Sequence, residues 1–138
     1  MDWKRNVIKM TQFKEAREQR IDATFFPPVT EGALSQWEKE NEVALPAEWR
    51  TFYLQSNGME AQKGVLRPLL PMEEFEVLPK SCSLENAWVQ IGKSSTHRYY
   101  LNLGLSATVW RVEEFSSDSE FFAASLTLYL KAVFQGKS

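Results

Sequence analysis

Leu45-Pro46-Ala47-Glu48-Trp49-Arg50-Thr51-Phe52-Tyr53, followed by Asn57-Gly58, is the best-punctuated stretch of this 138-residue chain. A helix tolerates proline at its first position, because the missing N–H has no partner inside the helix there. Trp49, Phe52, Tyr53 and Ser56 then recur at helical spacing and mark one apolar face. Gly58 suits the left-handed conformation that closes a helix, so Asn57-Gly58 is expected to end this one and turn the chain into the next element. The stretch predicts a short aromatic helix pressed on a core.

Working upstream, Thr30 is a good N-cap, Glu31 favours a first turn, and Leu34 and Trp37 form an apolar pair. A helix to Asn41 or Glu42 follows. Trp37, Trp49, Phe52 and Tyr53 read as a packed helix–helix core rather than a ligand pocket. Phe25-Phe26-Pro27-Pro28 stops whatever precedes it. Residues 4–20 read as one charged surface helix, with Trp3, Val7 and Met10 on its apolar face and Ile8 and Phe13 widening it.

Downstream, the period shortens to extended runs. Val65 to Leu70 reads as a strand that Pro68 confines to a sheet edge or splits. Met72 to Leu78 fits either a helical turn or an extended run, and Pro79 to Glu85 reads as loop. Ala87–Ile91, Arg98–Leu103 and Ala107–Val112 read as three strands of an antiparallel meander. Tyr99 and Tyr100 point to opposite faces of the middle strand, so one of them is expected at the surface; Tyr99 is the candidate. Ser116-Ser117-Asp118 are read as caps of a final helix in which Phe122, Leu126, Leu130 and Phe134 recur. The fold class is α+β: a small antiparallel sheet of four to six strands, packed by helices from the two ends of one domain spanning 1–138.

Composition excludes several kinds of function. The net charge of −2 gives no basic footprint for nucleic acid. Residues 1–20 are locally basic, whereas Glu73, Glu74 and Glu76, then Glu113, Glu114, Asp118 and Glu120, form acidic runs. These are either solvated faces or a surface that meets a basic partner. Cys82 and His97 are the only Cys and His, so neither a zinc site nor a Cys/His nucleophile pair is expected. No glycine-rich phosphate loop occurs. Adjacent carboxylates such as Glu113-Glu114 point to opposite faces of a strand and do not converge on one substrate. No catalytic residue, metal or cofactor is expected. The lone cysteine, the absence of a signal-like start and of a spanning apolar run predict a soluble cytoplasmic protein with no membrane partner.

The run Val29-Thr30-Glu31-Gly32-Ala33-Leu34, Trp37-Glu38, Leu45 to Tyr53 and Asn57-Gly58 resembles the signature of the SUKH superfamily. This group includes fungal cell-wall-assembly regulators and bacterial immunity proteins. Trp88-Val89-Gln90-Ile91-Gly92, Tyr100-Leu101-Asn102-Leu103, Val109-Trp110-Arg111-Val112 and the closing Phe122–Phe134 segment continue the resemblance, over about 28–134. It implies that Leu45, Pro46, Trp49, Phe52, Tyr53, Asn57 and Gly58 are scaffold residues. It also implies a non-catalytic protein-binding domain. In bacteria that is an immunity protein that binds and neutralises a toxin, often a nuclease, with Glu73, Glu74, Glu76, Glu113, Glu114 and Tyr99 as candidate contacts. A scaffold or regulatory adaptor is the alternative role, and a small-ligand or enzymatic domain a third. The oligomeric state is left open.

Overall fold

A computed structural model describes residues 1–78, 87–104 and 107–137. The helices are α1 (Trp3–Met10), α2 (Lys14–Glu18), α3 (Glu31–Asn41), α4 (Ala47–Tyr53) and α5 (Leu126–Phe134). The strands are β1 (Thr24–Phe25), β2 (Met59–Ala61), β3 (Leu66–Leu69), β4 (Glu76–Val77), β5 (Trp88–Lys93), β6 (His97–Asn102), β7 (Thr108–Glu113) and β8 (Ser119–Ala123). They form one antiparallel sheet in the order β1-β2-β3-β5-β6-β7-β8, with β4 also pairing with β5. The α+β class holds, but the sheet has eight strands rather than four to six.

The quoted stretch behaves largely as read. Trp49, Phe52 and Tyr53 are buried on α4, and Pro46 stands one residue outside the helix as its N-cap. Gly58 has φ +94, and a β-carbon there would sit 2.6 Å from the Leu69 carbonyl oxygen. It serves the start of β2, since α4 already ends at Tyr53. The two acidic side chains around Leu-Pro have structural tasks. Glu38 Oε2 accepts the Leu45 N–H at 2.7 Å and its other oxygen pairs with Arg50 at 3.0 Å. Glu48 Oε1 accepts the Leu126 N–H at 2.7 Å, satisfying a donor at the start of α5. The α4 segment is thereby tied to α3 on one side and α5 on the other.

Three expectations need correction. The charged N-terminal helix is two helices: Thr11 Oγ1 bonds back to the Ile8 carbonyl at 2.6 Å, and Phe13 is extended with ψ 144. Pro68 lies in an interior strand, because β3 pairs with both β2 and β5. Met59 faces Leu69 and Ala61 faces Leu66, two steps against three. The extra residue is a bulge in β3, where a missing N–H removes no ladder bond. Finally, Phe121 and Phe122 belong to β8, and α5 starts only at Leu126, capped by Ser125 Oγ accepting the Leu128 N–H. The expected loop at 79–85, with Cys82, lies outside the described residues.

One face of the sheet is covered by helices. Tyr129 of α5 packs on Trp49 of α4 and on Tyr99 and Phe122 of the sheet, at 5.4–6.4 Å between ring centroids. Its hydroxyl donates to the Pro68 carbonyl at 2.7 Å, and that of Tyr53 to the Leu70 carbonyl at 2.6 Å. These two bonds fasten α5 and α4 to β3 and its extension.

Burial raises the pKa of all four tyrosines, and carries Tyr53 and Tyr129 well above the ordinary value. A phenol held more tightly protonated when folded contributes its full stability below about pH 10. That contribution is lost as the pH climbs from there through the folded-state value. In an alkaline titration, at least half of the phenolate absorbance, including the share of Tyr53 and Tyr129, should appear only together with loss of far-UV circular dichroism. Complete ionisation with the fold intact would contradict their burial.

Candidate partner-binding surface

Alternation along β6 separates two environments. Tyr99 points under α5 and is fully buried, so the expectation that it offers a surface contact is not met. Tyr100 points the other way, to the outer face, and is buried there as well. Trp88, Trp110 and Phe121 share that face in an edge-to-face chain, 5.7 Å and then 5.8 Å between centroids. Cross-strand register sets this chain: Trp110 faces Tyr100 on β6 and Phe121 on β8. Leu78, Trp88, Arg98, Tyr100 and Val112, with Ser117 and Ser119, line a groove of about 300 Å³ on the same face. Phe121 remains half exposed.

The five candidate glutamates separate into two sets. Glu73 Oε1 accepts from the Asn57 side chain at 2.8 Å, while Asn57 Oδ1 accepts the Met72 N–H at 2.8 Å. Asn57 is therefore a brace between the α4 exit and the 3-10 turn Met72–Glu74. Glu74 is bound by Arg67, with a 2.5 Å contact, and that guanidinium holds its carboxyl below the usual range. Glu60 lies 3.5 Å from the same arginine. Glu73 and Glu74 thus have partners within the chain. Glu76, Glu113 and Glu114 make no side-chain hydrogen bond or ion pair among the described residues. Glu76 and Glu114 lie on opposite sides of Tyr100 in sequence, yet both act on its hydroxyl, opposed by Arg98.

Glu113 and Glu114 lead into the β7–β8 turn, and sequence reasoning missed its central residue. Phe115 is fully exposed and has φ +68, a left-handed backbone that bulky side chains avoid. The turn around it is braced. The Glu114 N–H donates to the Thr96 carbonyl at 2.8 Å, the Ser116 N–H to the Glu113 carbonyl at 3.1 Å, and the Asp118 N–H to Ser116 Oγ at 3.1 Å. Arg98 reaches the Ser116 carbonyl at 3.4 Å. Glu113, Asp118 and Glu120 gather around a polar groove of about 270 Å³ beside the turn, with Arg111 as its cation. The available signal was a phenylalanine inside Glu113-Glu114-Phe115-Ser116-Ser117-Asp118, where a turn needs no aromatic.

His97 opens β6, and its Nδ1 lies 2.8 Å from Thr96 Oγ1. Among the described residues no group of three or more His, Cys, Asp or Glu side chains could hold a metal ion. No described helix is long and apolar enough to cross a membrane.

The model of a protein family described as the SMI1 / KNR4 family (SUKH-1) matches residues 28–132. The span starts where the resemblance was expected to start and ends two residues short of its expected end. Helices α1 and α2 and strand β1 precede it. No curated protein matches the chain.

Proposed function

The chain belongs to the SMI1 / KNR4 family (SUKH-1), and on that basis we propose that this protein-interaction domain is an immunity protein that neutralises a toxin by covering its active cleft. The observation that carries the reading is the braced turn that holds Phe115 fully exposed in a strained conformation among carboxylates. An exposed phenylalanine at positive φ costs conformational energy in the free protein. A partner that buries the ring recovers that cost, and bracing lowers the entropy lost on docking. Aromatic anchors that fill a pocket commonly dominate binding energy.

The chemistry around the ring favours one kind of partner. Glu113, Glu114 and Asp118 flank Phe115 in sequence, so the matching cleft is apolar in its depth and cationic at its rim. Clefts that hold nucleic acid backbones are lined with lysine and arginine. A toxin nuclease therefore fits, and occlusion by a carboxylate-bearing turn would exclude its substrate. The carboxylates would also accelerate encounter at low salt. The domain acts by binding, with no catalytic residue of its own.

Phe115→Gly separates this role from stability. Glycine adopts φ +68 without strain, so the variant should be as stable as the parent or slightly more so. Its affinity for the toxin should fall by about 30-fold or more, the usual loss at an aromatic hot spot. Calorimetric titration of the toxin domain with both chains measures this. Equal affinities would remove Phe115 from the interface.

A further inference from the structure

We infer that Asn57 is a self-modification site: the Gly58 backbone nitrogen displaces its side-chain amide whenever the brace around it opens, and the carboxylate left behind keeps the brace from closing again. Asn57-Gly58 is the sole Asn-Gly pair in the sequence. Glycine has no side chain to shield its nitrogen, which leaves the asparagine before it open to attack. Hydroxide takes the Gly58 N–H proton, and the nitrogen bonds to Asn57 Cγ. The Cγ–Nδ2 bond breaks, and the leaving nitrogen takes a proton from water to depart as ammonia. Water then opens the cyclic imide to aspartate or isoaspartate. The only co-reactant is water, and nothing is oxidised or reduced.

Each reacting group is held in the folded chain. Asn57 Nδ2 donates to Glu73 Oε1 at 2.8 Å and Oδ1 accepts the Met72 N–H at 2.8 Å, so Cγ turns toward Gly58 only when both bonds break. The Gly58 N–H, whose proton must leave, donates to the Ser56 carbonyl at 2.9 Å. The product differs from the parent by one donor. An aspartate at this position still accepts the Met72 N–H, but an oxygen replaces the Nδ2 that faced Glu73. Two carboxylates then meet where a donor met an acceptor. Isoaspartate lengthens the main chain in a segment without slack. There the Asn57 N–H donates to the Pro27 carbonyl, and Ser56 Oγ accepts the Phe26 N–H while donating to the Gly58 carbonyl. A reversible opening thereby becomes an irreversible one, and the link from α4 to β2 sets a working lifetime for the fold. The reaction makes no use of Phe115, so it stands independently of the toxin reading.

Incubation of the full chain at mildly alkaline pH, folded and in denaturant, followed by peptide mapping in a mass spectrometer, tests this. Conversion of Asn57 should be at least about tenfold slower in the folded chain, as expected when a hydrogen bond to a charged group must first break. Glu73→Ala should speed conversion in the folded chain about tenfold and leave the denatured chain unchanged. Asn57→Asp makes the product directly and should lower the melting temperature. Adding Glu73→Gln should recover most of that loss, because an amide again faces a carboxylate. Equal rates in the folded and denatured chains overturn the inference, as does a folded-state rate that Glu73→Ala leaves unchanged. So does an Asn57→Asp chain as stable as the parent, or one that Glu73→Gln fails to restore.

Discussion

Deleting residues 1–27 is expected to leave a chain that does not fold, although the deleted part lies entirely outside the family match. Trp3, Val7, Met10 and Ile21 are buried at 0–5% exposure. Trp3 packs on Phe52 with 5.8 Å between ring centroids, and its backbone N–H donates to Gln55 Oε1 at 2.7 Å. Strand β1 adds two register pairs to β2, Thr24 with Glu60 and Phe25 with Met59. Four large side chains at about 1.5–3 kcal/mol each amount to roughly 6–12 kcal/mol. That is as large as the whole net stability of a typical domain, about 5–15 kcal/mol. Circular dichroism and thermal melting of residues 28–138 should show no cooperative transition. A cooperative melt within a few degrees of the full chain would show that α1, α2 and β1 are accessory.

Trp49→Ala is expected to cost about 3–5 kcal/mol, the range for emptying a large aromatic site in a core. Trp49 lies at the junction of the molecule: it is buried on α4 and stacks on Tyr129 of α5, 25° from parallel. The same helix holds Glu48, which caps the start of α5. The loss therefore reaches both helices and the Tyr129–Pro68 hydrogen bond behind them. Trp49→Phe should be much milder. The indole Nε1 is buried without a hydrogen-bond partner among the described residues, so replacing it by carbon removes an unsatisfied donor and offsets part of the lost volume. Denaturant unfolding of both variants measures the difference. Equal losses would mean that the indole nitrogen has a partner after all.

The parts of the fold that were legible from sequence are those where one local signal has one meaning. Thr30 caps α3 as read, with its Oγ1 accepting the Ala33 N–H at 3.1 Å. The strands read at 87–91, 98–103 and 107–112 correspond to β5, β6 and β7. The final helix failed because a spacing of four suits both a helix and a strand. Phe122 and Leu126 therefore read as one helical face, while the first of them sits on β8. Pro68 failed because a proline signals the missing N–H but not the bulge that accommodates it.

The candidate site was less legible, for a physical reason. Alternation predicts that Tyr99 and Tyr100 point to opposite faces, but that both end up buried, Tyr99 beneath α5 and Tyr100 on the outer face, depends on packing by elements far away in sequence. Glu73, Glu74 and Glu76 look alike in the chain. Only the folded positions of Asn57 and Arg67 show that Glu73 and Glu74 are engaged, while Glu76 has no side-chain hydrogen bond or ion pair among the described residues. Phe115 was overlooked because a lone aromatic ordinarily implies burial, and here the backbone turns it out.

The most direct measurement is affinity purification of the tagged chain from cells co-expressing the genes that flank its own, at low and at high salt, with Phe115→Gly in parallel. The account predicts one stoichiometric partner that is toxic when expressed alone, held more tightly at low salt, and much reduced with the variant. A toxic partner retained equally by both chains, or no partner at either salt concentration, would contradict it.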